Sequence, residues 1–369
     1  MKFQHVGKGA LGMLVVAAAL AGCAGPSGDQ TSGTLQPAAD ALGGQSNADQ
    51  MDALYQAAQK AGETTVVTYG PGEQLYASAY QVFMQRYPDI QVTGEYIFGA
   101  ELSTRLDQEF ASGKHVGSIQ TAGAPATSAT ASKGECSAYT PFTADWLDKD
   151  LVAADGSYRA VLAYPVGIGY NTDKTSEDKL PATFLDLTDP KFAGQFVVSD
   201  PTAVGAATNA MASMLTDGLI DEQWIGELAA NKPVLGSNGA LSLQAVATGQ
   251  VSFDAFAQYT QYKQAIEDGL PVGFYFPLQD SRVEYHYSCV YQDAPNQDAT
   301  DLLYNWLFTP EGQDALATAG VFGIRPGSTP PEGLPTFQDA IKDQIPWQPV
   351  PEVGDSVKQF LAVSKKAFL

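Results

Sequence analysis

Asp254 poses the first chemical question in the sequence. It lies in residues 251–257, where Ser252, Asp254, Phe256 and Gln258 alternate with Val251, Phe253 and Ala255, the period of a strand. Burying an isolated charge is costly, so a carboxylate inside such a strand must be paired or bound. Asp254 therefore faces either a cationic group of a ligand or an internal partner such as Lys263 or a backbone cap. Tyr69, Tyr259, Tyr285 and Phe256 could wall such a cation, because a ring face attracts it by roughly 0.5–2 kcal/mol. Ordinary core or cleft packing is the alternative for each ring. Donors for an anion occur at residues 201–205 (PTAVG), where Pro201 and Thr202 follow Asp200 and start a helix whose first N–H groups are free. Asp200 acting only as the cap is the alternative there. Asn238, in Ser237-Asn238-Gly239, offers a similar set.

Covalent chemistry finds no comparable support. Without the leader described next, His115 and His286 are the histidines that remain, and G-x-S-x-G, H-E-x-x-H, C-x-x-C and phosphate-loop patterns are absent. No catalytic residue and no cofactor is expected. At the N-terminus, Lys2 and Lys8 flank an apolar run, residues 10–20, too short to span a bilayer. Leu20-Ala21-Gly22-Cys23 closes it in the form of a lipobox. Residues 1–22 are therefore expected to be a signal peptide, with Cys23 lipidated and the protein held on the extracytoplasmic face of the cell membrane. The formal charge of −21 becomes −23 once Lys2 and Lys8 are lost with that leader. So acidic a chain disfavours nucleic acid and anionic lipid as partners and is compatible with cationic ligands. In an oxidising compartment Cys136 and Cys289 are expected to pair, the alternative being two buried thiols.

Residues 23–49 are rich in Gly, Ser, Gln and Asp and read as a flexible tether. Beyond it strands alternate with helices: residues 64–69, 90–98 and 116–121 read as strands, 73–87 and 100–112 as helices. A second run has strands at 163–170, 196–199, 233–235, 251–257, 274–277 and 284–291, with a helix over 201–215. This is an α/β protein long enough for two lobes, each built on a parallel or mixed sheet. Ligands bind such sheets at the carboxyl ends of strands, which puts Tyr69 and Thr121 beside a cleft.

Six stretches, in order, resemble the iron-type branch of the type 2 periplasmic solute-binding proteins, the receptors of ABC importers. They are residues 54–69; Phe83 to Val92 with Tyr87-Pro88; Gly169-Tyr170-Asn171-Thr172; residues 186–202 (DLTDPKFAG…SDPT); residues 243–249; and Thr309-Pro310-Glu311-Gly312-Gln313. The resemblance implies two Rossmann-like lobes joined by crossing hinge strands, with a solute held between them. Its expected divisions are lobe 1 over residues 50–165, lobe 2 over 166–272, a return to lobe 1 over 273–330 and a helical tail over 331–369. It also directs the loop holding Asp280, Arg282 and Glu284 at the cleft.

Ferric-binding members of that family hold iron with two adjacent tyrosines, a His and a Glu. Ferric ion is hard and needs such oxygen donors. Here the tyrosine position reads Tyr259-Thr260, the His position falls near Glu73 and the Glu position near Ala122. No full metal site is left, although Glu73 and Tyr259 could support a metal complex or grip an amine. The expected cargo is a small amine-containing or zwitterionic molecule, ahead of an iron complex and of a phosphonate at residues 201–205. The expected partner is an ABC permease, and the expected state a monomer. A ligand sensor serving a membrane kinase is the alternative, and an extracytoplasmic hydrolase a third.

Overall fold

The computed structural model describes residues 36–342 and 350–369. The expected signal peptide, Cys23 and the first part of the tether lie outside the described residues. The tether ends earlier than expected, because helices α1 (Ala38–Ala41) and α2 (Gln45–Ala61) already occupy its last third. The polar first turn of α2 hid this in the sequence. Ala41, Leu42, Ala48 and Met51 are buried on one side, and Gly62 closes the helix in the left-handed conformation.

Lobe 1 continues with β1 (Thr65–Gly70), α3 (Ala77–Arg86), β2 (Gln91–Tyr96), α4 (Gly99–Ser112), β3 (Ile119–Gly123) and α5 (Ala124–Ser132). The long strand β4 (Arg159–Asn171) then leads into lobe 2. There follow β5 (Phe196–Ser199), α6 (Ala206–Thr216), α7 (Glu222–Ala230), β6 (Val234–Gly236), α8 (Gly239–Ala247), β7 (Phe253–Gln258), α9 (Tyr259–Glu267) and β8 (Val272–Tyr275). Strand β9 (Arg282–Val290) returns to lobe 1, which adds α10 (Gln297–Trp306), α11 (Pro310–Leu316), β10 (Phe322–Gly323) and α12 (Phe337–Ile341). Helix α13 (Val350–Phe368) ends the chain. No helix among the described residues is long and apolar enough to cross a membrane.

One mixed sheet runs through both lobes in the order β2-β1-β3-β9-β4-β7-β5-β6, with β8 and β10 also on β4. Neighbours β1, β2 and β3 are parallel, as are β5, β6 and β7, whereas β4 and β9 are antiparallel to each other. The buried apolar side chains separate into a lobe 1 cluster, containing Phe83, Tyr164, Tyr287 and Trp306, and two lobe 2 clusters around Phe196 and Val246. Along β4 the change comes between Tyr164 and Val166. The clusters are distinct within one compact unit, residues 36–369, and Phe274 packs against both the first and the third of them. Helix α13 sides with lobe 2 through Val357, Phe360 and Val363, and also packs against α5.

Two departures from the expected elements bear on the site. Strand β7 is bulged: Gly167 pairs with Ala257 and Ile168 with Ala255, which leaves Phe256 unpaired at φ 62. Phe256 joins the lobe 2 core, stacked on Phe184, while Asp254 sits beside Tyr262 of another cluster. The strict alternation expected there is thus broken. Helix α6 starts at Ala206, not Pro201, because the Asp200 carboxylate takes the Thr202 amide and hydroxyl at 2.8 and 2.7 Å and folds residues 200–203 into a turn.

Cys136 and Cys289 form a disulfide across 153 residues of sequence, tying the segment after α5 to the lobe 1 end of β9. Closing so long a loop stabilises a fold by about 2–5 kcal/mol. Replacing both with Ser should lower unfolding free energy in urea by that order. Free alkylation of both thiols in the unreduced native protein would contradict the bridge.

Candidate functional site

The residues singled out from the sequence do not meet at one point. Tyr69 is fully buried in lobe 1, where its hydroxyl donates to Glu109 at 2.8 Å and its ring tilts against Tyr291. Thr121 donates to the Ser288 hydroxyl at 3.3 Å inside the sheet. Tyr259 donates to the Glu332 carbonyl at 2.8 Å, and Tyr285 packs edge-on against Phe337. With Phe256 in the lobe 2 core, these four rings make no aromatic wall. Asn238 caps α8 by accepting the Leu241 amide, and the Thr202 amide is taken by Asp200.

Asp254 has its partner inside the protein, where the Tyr262 hydroxyl donates to it at 3.4 Å. Lys263 pairs with Glu267 instead. Gly169, opposite Asp254 in the ladder, lets the Tyr262 ring lie flat there, since a Cβ would come within 1.9 Å of it. Burial raises the Asp254 carboxyl well above its usual range, opposed by the Tyr262 hydrogen bond. Glu73 is buried too. It accepts from the Thr68 hydroxyl at 2.5 Å and the Tyr80 hydroxyl at 2.8 Å through one oxygen, while the other has no partner. Burial pushes it up to about 7.

A different group converges, on the crossing strand. Arg282, Glu284, His286 and Ser288 alternate along β9 with Val283, Tyr285, Tyr287 and Cys289. Arg282 pairs with Asp217 at 3.5 Å, and Ser288 meets Thr121. Between them Glu284, part-buried, accepts from Asn209 of α6 at 2.8 Å and from Gln258, at the end of β7, at 3.0 Å. The β7 bulge precedes Gln258 by two residues. From lobe 1, Gly123 just before α5 neighbours Glu284: a Cβ there would meet the carboxyl oxygen at 3.9 Å, ordinary van der Waals contact.

Across the ladder from Glu284 stands Tyr164, whose hydroxyl shares a 2.6 Å hydrogen bond with that of Tyr76. Gly72 covers both hydroxyls, and a Cβ there would fall 2.1 Å from the Tyr164 oxygen. His286 packs its ring 4.5 Å from Tyr164, and burial lowers its pKa to about 3. It is therefore neutral, and Arg282 is committed to Asp217. Among the described residues no cationic side chain pairs with Glu284. Burial raises its pKa, opposed by the two amide donors. The arrangement is a part-buried carboxyl group on the crossing strand, held by two lobe 2 amide donors and, among the described residues, lacking a positive partner.

Sequence reasoning touched Glu284 but missed Asn209, Tyr164 and Tyr76. The Arg-x-Glu-x-His-x-Ser alternation was available as a signal. Asn209, 75 residues away in a helix of Ala, Thr and Met, carried none.

The bacterial extracellular solute-binding protein family matches residues 78–342. Solved structures share the fold at low identity. Iron-bound HitA from Pseudomonas aeruginosa is 19% identical with a TM-score of 0.66, over 83% of this chain and 100% of that one. The substrate binding protein of an ABC transporter from Agrobacterium tumefaciens is 17% identical at 0.68, over 83% and 94%. The periplasmic binding protein AfuA from Actinobacillus pleuropneumoniae, with fructose-6-phosphate bound, is 18% identical at 0.64, over 83% and 99%. An uncharacterized Haemophilus influenzae protein is 24% identical over 156 residues, 40% of this chain and 44% of its own length.

Glu73 carries a pH signature. Its pKa, raised from 4.5 to about 7, means that the folded state holds a proton the unfolded state releases. The associated stability is complete below pH 4.5 and is lost as pH rises through 7, on the order of 3 kcal/mol in all. Glu73→Gln should therefore unfold with a shallower decline between pH 5 and 8 than the parent. Parallel urea-derived curves for the two proteins would contradict the assignment.

Proposed function

The chain belongs to the bacterial extracellular solute-binding protein family, and we propose that it is the receptor of an ABC importer, capturing a small solute between its lobes. Glu284 carries this reading. It lies on a strand shared by both lobes, it is held by lobe 2 amides, and it faces the Gly123 turn of lobe 1. A solute reaching it touches both lobes only when they are closed, so binding favours closure by whatever affinity the closed state adds.

The favoured cargo is an amine-containing or zwitterionic molecule, because an ammonium supplies the positive charge that Glu284 lacks and up to three donors. Micromolar capture needs about −8 kcal/mol, within reach of a few charge-assisted hydrogen bonds. The metal reading has less support: the described residues contain no group of three or more His, Cys, Asp or Glu able to hold an ion, and Tyr259 is engaged by Glu332. The phosphonate reading loses the Thr202 amide to Asp200. No covalent step is proposed. Delivery to a permease, with Cys23 as a lipid anchor on the extracytoplasmic face, completes the assignment.

A thermal-shift screen of amines, amino acids, ferric chelates and phosphonates tests the ligand class. An ammonium compound should raise the melting temperature, and Glu284→Gln should weaken that compound by roughly ten- to a hundredfold, the worth of one hydrogen bond to a charged group. A response confined to ferric ion and abolished by Tyr259→Phe would contradict it.

A further inference from the structure

Tyr96 and Phe98 stand out against a chain that buries its rings. They are 52% and 50% exposed, and no other aromatic side chain among the described residues is as open. Exposed large rings that adjoin one another mark a contact surface more often than a passive one. Their rings meet edge-on at 5.1 Å, while Ile97 between them is buried and anchors the segment. Tyr96 ends β2 and Phe98 precedes the first residue of α4, and the ring contact puts both side chains on one patch.

Their position in the sheet relates them to Glu284. Tyr96 ends β2 and pairs in register with Gly70, the last residue of β1. Gly70 lies against the Thr121 carbonyl of β3, two residues before the Gly123 turn that approaches Glu284. The carboxyl ends of three parallel strands thus lead from Tyr96 to Glu284. In the sheet, β2 and β9 are three strand spacings apart, about 14 Å.

We propose that Tyr96 and Phe98 form an aromatic lip of the solute cleft and select an elongated cation, one whose ammonium end reaches Glu284 and whose apolar or aromatic body lies across the strand ends. The inference rests on the cation reading of Glu284 and adds the other end of the solute. Free amino acids and methylamine-sized cations fill only the Glu284 end. A rigid aryl or alkyl chain of several carbons also covers the two rings.

The test is an NMR titration of the full chain with methylammonium, benzylammonium and 3-phenylpropylammonium, using the parent, the Tyr96→Ala/Phe98→Ala double variant and Tyr96→Phe. Both side chains are half exposed, so the variants should fold. In the parent, affinity should rise along the series. The double variant should lose roughly five- to thirtyfold for 3-phenylpropylammonium and leave methylammonium unchanged, and Tyr96→Phe should retain the gain. Equal affinity of parent and double variant for the arylalkyl compounds overturns the lip while leaving Glu284 as a cation site. A double variant that binds normally but no longer supports uptake overturns it too, by assigning the rings to permease docking. Failure of all three compounds to bind the parent overturns the cation reading and the lip with it.

Discussion

Strand β9 must cross from one lobe to the other while keeping a row of polar side chains in the middle of a sheet. A buried polar group without partners costs free energy, so each member of that row dictates something about its surroundings. Ser288 is answered within lobe 1 by Thr121, and Arg282 at the lobe 2 end by Asp217. Glu284 falls between, across the ladder from Tyr164 at the edge of the lobe 1 cluster, and takes its donors from α6 and from the end of β7. Those amides stabilise a carboxylate without neutralising it. The fold thereby places on the shared strand a carboxyl group that has amide donors but, among the described residues, no cationic partner.

Other buried acids behave differently. Asp254 and Glu73 sit within a lobe, bonded to hydroxyls, with pKa values raised by burial. Each has one oxygen bonded to hydroxyl groups of its own lobe and the other buried without a partner. Burial alone therefore does not mark a binding carboxylate in this chain. The distinguishing features of Glu284 are its position on a crossing strand and amide donors from a neighbouring helix and strand end.

Much of the architecture was legible in the residues. The β-branched run ending at Tyr69, the Tyr87-Pro88 turn before β2 and the Asp189-Pro190 turn report local backbone demands, and these survive in the fold. Asp189 accepts the Lys191 amide, as its place before a proline-led turn suggests. Partner choice was not legible. Nothing local says that Tyr262, not Lys263, answers Asp254, or that Phe256 adopts a left-handed conformation and breaks the alternation of β7. Both depend on packing against β4, whose Gly169 leaves room for the Tyr262 ring. The helix start at Ala206 was displaced by a single side chain, Asp200, taking up the amide that a first helical turn would have left free. The polar opening of α2 hid an ordered helix because the side chain it buries, Ala48, is small.

Closure of the lobes around a cation can be followed directly. Spin labels at Gln108 on α4 and Glu222 on α7, both exposed and one in each lobe, report the distance between lobes by pulsed electron resonance. Saturating 3-phenylpropylammonium should replace a broad or long-distance population with a single shorter one, and Glu284→Gln should keep the ligand-free distribution at the same concentration. An inter-lobe distance that stays unchanged while the ligand binds would contradict capture of the solute between the lobes.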